Sequence, residues 1–357
     1  MTDLRPTDNL DRALSTLHAD VETDPERIEQ IRAAFLDAMR QTTDERPDLT
    51  PAANGRTTAV GVKKRGPRRR WLIAAAAAIA LVAGGTLYTS TLTGSSAEAK
   101  VELDGAAQRI AAASDPVVAP GKYRYLVWHV WNRNYTETPG GGLEYLEESV
   151  REVWVPADIR GTWYRRDTST GRHQWVKGSD EEARKAGFTF DRSTQTATAK
   201  CGAFEGGGPC AENGRWQDPS LEWIAGLPRD PNALYEQLKK DGTIEGNDRG
   251  ETQLLVTAQD ALQTGMLPAD LRASLYRALG NLKNLKITDK AANLDGQIGI
   301  AYSSDDGSSR EEIVIDPKSG AYIGSREVAT SGRNQGQVLS YRSFTTATAP
   351  APWKAPR

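Results

Sequence analysis

The 357-residue chain holds 45 Lys/Arg against 47 Asp/Glu, a near balance that gives no reason to invoke a nucleic-acid partner. Two cysteines alone make a poor zinc site, which wants four ligands, and no phosphate-cradling glycine motif is present. The near-neutral total hides an asymmetry: residues 1–50 have 6 Lys/Arg and 12 Asp/Glu, whereas residues 51–70 have 7 Lys/Arg and no acid.

Residues 1–41 read as a cytosolic helical arm. Asp8 or Asn9 can cap a first helix in which Leu10, Leu14 and Leu17 recur at helical spacing. Asp24-Pro25 opens a second as N-cap and N1, with Ile28, Ile31 and Phe35 on one stripe. So few residues cannot offset about 1–2 kcal/mol of ordering entropy each with a core of their own. The arm is therefore either a partly helical solvated tail or a docking arm, in which Leu14, Leu17, Ile28, Ile31 and Phe35 would meet a sigma factor. The arm has His18 and no cysteine, which excludes the zinc-binding His-x3-Cys-x2-Cys subclass of anti-sigma factors. Residues 42–70 are a basic flexible linker, polar and without periodicity.

Residues 71–92, WLIAAAAAIALVAGGTLYTSTL, contain no charge and are long enough to cross about 30 Å of hydrocarbon as a helix. Six cations, Lys63, Lys64, Arg65, Arg68, Arg69 and Arg70, sit at its N-terminal side, which places that side in the cytosol and residues after 92 outside. Three readings compete. A buried helix of a soluble domain is disfavoured by uniform apolarity and flanking charge. A cleaved signal would use Ala97-Glu98-Ala99, and Arg69-Arg70-Trp71-Leu72 has a partial likeness to a twin-arginine signal. A retained signal anchor in the plasma membrane fits the length of the run and of the segment before it.

Residues 97–346 form the expected extracytoplasmic α+β domain, with 347–357 as a tail. An Ala-rich helix spans about 97–113. Lys122 to Trp131 alternates, with Leu126, Trp128 and Val130 on one face and Tyr123, Tyr125 and Val127 on the other. After the loop TETPGGG, Leu143 to Val155 alternates again, setting Leu146, Val150 and Trp154 to one side among Glu147, Ser149 and Arg151. Residues 158–167 and 172–178 predict a hairpin around Ser169-Thr170-Gly171, bearing Trp163 and Trp175. Cys201 and Cys210 bracket a Gly-rich loop on the outer side, where an oxidising compartment lets them pair; the spacing rules out a CxxC redox motif. Helices follow at 231–240, 251–264 and 268–280, then strands at 283–288, 296–303, 310–316, 321–329 and 337–345.

Three segments, PSLEWIAGLPRDPNALYEQL, LPADLRASLYRALGNLKNLKITDKAANLDGQIGIAY and EEIVIDPKSGAYIGSREV, together with DPERIEQIRAAF before the apolar run, resemble an actinobacterial family of single-pass envelope proteins. The resemblance covers about two thirds of the chain. It implies an outer domain similar to the LolA/RseB-like half-barrel, a curved antiparallel sheet with helices in its mouth. It also implies a binding or sensing role, toward a lipid, a lipoprotein or a peptide, and supplies no catalytic residue.

The residues themselves point the same way. His129 and His173 lie in predicted strands and read as structural histidines rather than bases beside a nucleophile. Glu147, Glu148 and Glu152 read as a solvated face. Asp289, Asp295, Asp305 and Asp306 lie near turns without the spacing of a calcium loop. No cofactor, metal or catalytic residue is expected. The unusual content is tryptophan, and Trp128, Val130, Leu146, Val150, Trp154, Trp163 and Trp175 form the candidate apolar ligand surface, though the same rings would equally fill an ordinary core. The expected function is that of a non-enzymatic envelope binding protein, with an anti-sigma-like sensor as its signalling form; the alternative is a structural or assembly factor of the envelope.

Overall fold

The computed structural model describes residues 95–113, 115–242 and 249–356. The predicted arm (1–41), with Leu14, Leu17, Ile28, Ile31 and Phe35, the linker (42–70) and the apolar run (71–92) lie outside the described residues. Among the described residues no helix is long and apolar enough to cross a membrane.

Helix α1, Ser96–Ala112, begins where the Ser95 hydroxyl accepts from Glu98 N at 3.2 Å. Its buried positions, Ala99, Leu103, Ala106, Ala107 and Ile110, recur every three or four residues and make one stripe. Three sixteen-residue strands follow: β1 Tyr123–Thr138, β2 Gly141–Pro156 and β3 Thr162–Lys177. Next come the short helix α2 (Asp180–Lys185) and strand β4 (Thr194–Lys200). Four helices then run as α3 Leu221–Gly226, α4 Pro231–Gly242, α5 Glu251–Gln263 and α6 Ala269–Leu279. Asp230 caps α4 by accepting from Asn232 N and Ala233 N at 3.1 and 2.9 Å, and Pro231 takes the position whose N–H would have no partner. The chain ends in β5 Lys286–Leu294, β6 Gln297–Asp305, β7 Ser309–Ile315, β8 Tyr322–Ala329 and β9 Val338–Ala349.

All nine strands join one antiparallel open sheet in the order β4-β3-β2-β1-β9-β8-β7-β6-β5. The fold is α+β, as composition and pattern predict. The helices cover one face of the sheet. There Leu234, Leu238, Leu255, Leu271, Leu275 and Leu279 are fully buried and pack with Leu126, Val153, Ile313 and Phe344 from the strands. Burying each such side chain stabilises the fold by roughly 1.5–3 kcal/mol, and this layer is the main core.

The opposite face differs from the expectation of a solvated carboxylate row. Glu148 and Glu152 are buried, at 1% and 7% exposure. Glu148 accepts from Thr170 Oγ1 at 2.7 Å and Arg172 Nε at 2.6 Å, while Glu152 accepts from Tyr125 Oη at 2.5 Å and from Arg166 Nη2 at 2.7 Å. Burial raises both carboxyl pKa values, but the hydrogen bonds from Arg172 and Thr170, and from Arg166 and Tyr125, outweigh it and hold both below the ordinary glutamate value. Alternation alone reads as a wet face because it cannot see that arginines on β3 lie directly across.

Two further expectations change. The predicted hairpin at 158–178 is one continuous strand, β3, and Ser169-Thr170-Gly171 is an irregularity within it. Ser169 pairs with Ser149 and His173 with Glu147, so the intervening β3 residues face Glu148 alone, and Gly171 at φ 70° absorbs the surplus. The tail contributes its first residues, through Ala349, to β9. Beyond it Trp353 packs on Trp154 and Tyr164, each ring pair 5.4 Å apart, and Lys354 O accepts from Trp154 Nε1 at 2.9 Å.

Candidate functional site

The register of β1, β2 and β9 decides which aromatic residues meet. Trp128 lies opposite Arg151 and Phe344, and Val130 opposite Ser149 and Arg342, all toward the helices. Tyr125 lies opposite Trp154, so Trp154 belongs to the other face, as do Val150 and Leu146 by their even spacing from it. The structure therefore divides the seven candidate residues. Trp128, Val130 and Trp163 gather on the helix-covered face. Trp154 packs with Tyr125 and Ala349 on the reverse, with Val150 and Leu146 along the same side of β2. Trp175 joins a separate cluster with Leu143, Tyr145, Phe188 and Phe190.

The first group borders a cleft of about 760 Å³ between the β1–β4 half of the sheet and the segments that follow β4. Its floor is Trp128, Val130 and Val153. Trp128 is fixed by donating from Nε1 to Gln263 O at 3.0 Å and by its ring packing 5.3 Å from Phe344. One wall is the Cys201–Cys210 disulfide loop, which sets Gly202, Phe204, Gly208 and Pro209 along the cleft. That pairing is the one expected from the sequence. The loop is fastened further where Asp218 Oδ1 accepts from Gly208 N at 2.8 Å, and where Leu221 N donates to Pro209 O at 2.9 Å. Trp163 stands under the loop and donates to Ile159 O at 2.8 Å. The opposite wall is the end of α5 with Met266.

The lining is chemically mixed. Arg165 lies over the Phe204 ring at 4.7 Å and reaches Asp167 at 2.9 Å and Glu205 at 3.1 Å. Asp260 accepts from Gln217 Nε2 at 3.1 Å and Gln263 Nε2 at 2.9 Å. Burial raises the Asp260 carboxyl pKa, against the hydrogen bond from Gln217 and the field of Arg342. The amide oxygen Gln263 Oε1 is buried without a hydrogen-bond partner among the described residues. The Arg342 side chain, half-buried on the cleft wall, lies close enough to Asp260 for its charge to act on that carboxyl. The cleft thus offers an apolar floor beside a cation, Arg342, and a carboxylate, Asp260.

Neither histidine approaches this cleft. His129 sits on the reverse face with Nδ1 3.3 Å from Glu148 Oε1; His173 stacks on Phe190 at 3.6 Å with Nε2 2.7 Å from Asp180 Oδ1. Asp305 and Asp306 serve a turn, accepting from Gly307 N at 2.7 Å and Ser308 N at 2.9 Å. Among the described residues no three His, Cys, Asp or Glu side chains gather as metal ligands would. Sequence reasoning missed Phe204, Asp260, Gln263, Met266 and Arg342. The one available signal was the alternation of Arg342 and Phe344 in a strand whose neighbour was unknown.

No family model matches this chain, and no curated protein matches it. Among solved structures it is similar to the MucA/MucB complex of Pseudomonas aeruginosa, at 13% identity over 72% of this chain with a TM-score of 0.23. It spans 59% of the length of that matched chain. It is also similar to a DUF1329 family protein from Desulfovibrio piger, at 9% identity over 73% of this chain and 95% of the other, with a TM-score of 0.19.

Proposed function

We propose that residues 95–356 are a non-enzymatic binding module outside the plasma membrane, anchored through residues 71–92, whose cleft holds an amphipathic ligand of the lipid, lipoprotein or peptide classes. The observation that bears most weight is the cleft itself, with an apolar floor, a wall fastened by a disulfide, and charged groups at its side. The extracytoplasmic placement is supported by the disulfide, since such bonds persist in oxidising compartments.

The test is photo-crosslinking in living cells with p-benzoylphenylalanine in place of Val130 on the cleft floor or of Val127 on the reverse face of the same strand. The expected result is an adduct of defined mass from position 130 alone. Equal adducts from both positions, or none from position 130, would refute the assignment. Relay of occupancy to a sigma factor through residues 1–41 is the sensing form of this reading. Residues 1–62 used as bait should then retain a sigma factor, and a clean failure to do so returns the protein to binding without signalling.

A further inference from the structure

The sheet is open, so it ends in two edge strands, and the chain treats them differently. Strand β5 is guarded. Its register breaks on both sides of Asp289, the Asp289 carboxylate takes the N–H of Ala291 at 2.9 Å, and Lys290 reaches Glu98 of α1 at 2.7 Å. Bulges, charges and a neighbouring helix are common means of keeping an edge from pairing with another chain. Strand β4 has none of them. It reads Thr-Gln-Thr-Ala-Thr-Ala-Lys in unbroken register with β3, and its one charge is at the end. Thr194, Gln195, Thr196, Thr198 and Lys200 are exposed.

The backbone bonds to β3 fix which groups of this edge remain. Ser169 N donates to Ser193 O at 2.9 Å, and Cys201 N donates to Gly161 O at 2.7 Å. An antiparallel ladder alternates, so the odd positions from 193 to 201 bond to β3. Thr194, Thr196, Thr198 and Lys200 turn outward, and of their groups Lys200 O accepts from Ala203 N at 3.2 Å. A second β4, antiparallel and centred on Ala197, meets this row in the register that uses all the rest. Thr196 then faces Thr198 of the second copy with two bonds, and Thr194 faces Lys200 with one, each relation occurring twice. Sliding the pair by one residue sets outward groups against inward ones.

The side chains suit the same register. Thr196 stands opposite Arg166, so the even positions share the reverse face. There the threonines meet as cross-strand pairs, as Thr168 and Thr194 already do with hydroxyls 3.4 Å apart. On the cleft face Ala197 meets Ala197 and Gln195 meets Ala199, which leaves the backbones room to approach. We propose that β4 is a self-association surface, through which two copies of the chain pair about a two-fold axis at Ala197 and form one continuous sheet. The axis stands perpendicular to the sheet. The helix-covered faces of both copies, α1 included, therefore lie on the same side, and both chains can enter one membrane. Gln195 borders the cleft, so the two clefts open side by side. The pairing does not depend on what the cleft holds.

The experiment oxidises cells making the full chain with Ala197→Cys, using copper phenanthroline, and reads cross-linked dimer on a non-reducing gel. The central residues of this register form a non-hydrogen-bonded pair with Cα atoms about 4.5 Å apart, within disulfide reach. Gln195→Cys or Ala199→Cys alone should give no dimer, because identical positions then stand about 14 Å apart. The two made together should give one. In the Ala197→Cys chain, Thr196→Lys/Thr198→Lys sets like charges opposite each other twice and should cut the dimer roughly tenfold. Thr196→Lys/Thr198→Glu sets unlike charges opposite each other and should restore it, which separates lost pairing from misfolding. No dimer from position 197, equal dimer from 195 or 199 alone, or equal yields from the two double variants would overturn the proposal. So would a cross-link from position 197 to a different protein, which would make β4 the seat of a foreign strand.

Discussion

Reduction of Cys201–Cys210 should weaken the domain by an amount that can be worked out beforehand. The two cysteines are 9 residues apart with Cα atoms 6.0 Å from each other. Closing a ring of about ten residues removes chain entropy worth about 2.7 kcal/mol at 25 °C from the unfolded state. The folded loop does not depend on the bond alone, because Cys201 N donates to Gly161 O at 2.7 Å and Asp218 holds Gly208 N. The native geometry should therefore survive reduction, and most of the 2.7 kcal/mol should appear as lost stability. For a domain of this size that corresponds to a fall in Tm of about 5–10 °C. The assay is urea unfolding by circular dichroism with and without dithiothreitol, using Cys201→Ser/Cys210→Ser as the control on which the reductant should have no effect. A loss under about 1 kcal/mol, or an equal effect of the reductant on the control, would refute the reasoning. Cleft affinity should fall alongside, since Phe204 and Gly208 line the wall that the bond constrains.

Three further outcomes are expected. Leu275→Ala, at a fully buried position beneath the sheet, should cost about 2–5 kcal/mol in urea unfolding. Gly320→Ala should cost about 1–3 kcal/mol: φ there is +74°, and an added Cβ would stand 2.4 Å from Ala106 O, so hydrogen exchange should show α1 loosened first. Glu148→Gln/Glu152→Gln should change the acid limb of stability. The folded carboxyls titrate below the ordinary glutamate value of 4.5, so their contribution is present above that pH and is lost as pH falls through the folded values. The gap in urea midpoint between wild type and variant should thus shrink from pH 6 to pH 3, and a constant gap would count against the buried pairs as its source.

Strands β1 and β2 were legible in the sequence because their alternation is a local property, whereas β4, with its short run of Thr and Ala, was not read, and neither was the assignment of faces. Lys122–Trp131 and Leu143–Val155 each display two faces, but nothing local says which face of one joins which face of the other. The turn at Pro139-Gly140 settles that, pairing Thr138 with Gly141 and therefore Trp128 with Arg151 rather than with Val150. The helix start at Pro231 and the disulfide were readable for the opposite reason, since caps and short rings are built from neighbours in sequence. Arg342 and Asp260 became visible as a pair only in three dimensions, 82 positions apart on β9 and α5. The buried glutamates escaped detection because a charged residue looks solvated until its arginine is found.

Strand β9, the last of the described strands in chain order, lies between β1 and β8 and joins the two halves of the sheet. Until residues 338–349 arrive, β1 and β8 both present a row of unpaired backbone groups, the kind of edge that recruits foreign strands. In a chain that emerges N-terminus first, the sheet closes only after all the other described strands have been made. A chain lacking residues 338–349 would expose two adhesive edges where the described domain has a continuous ladder.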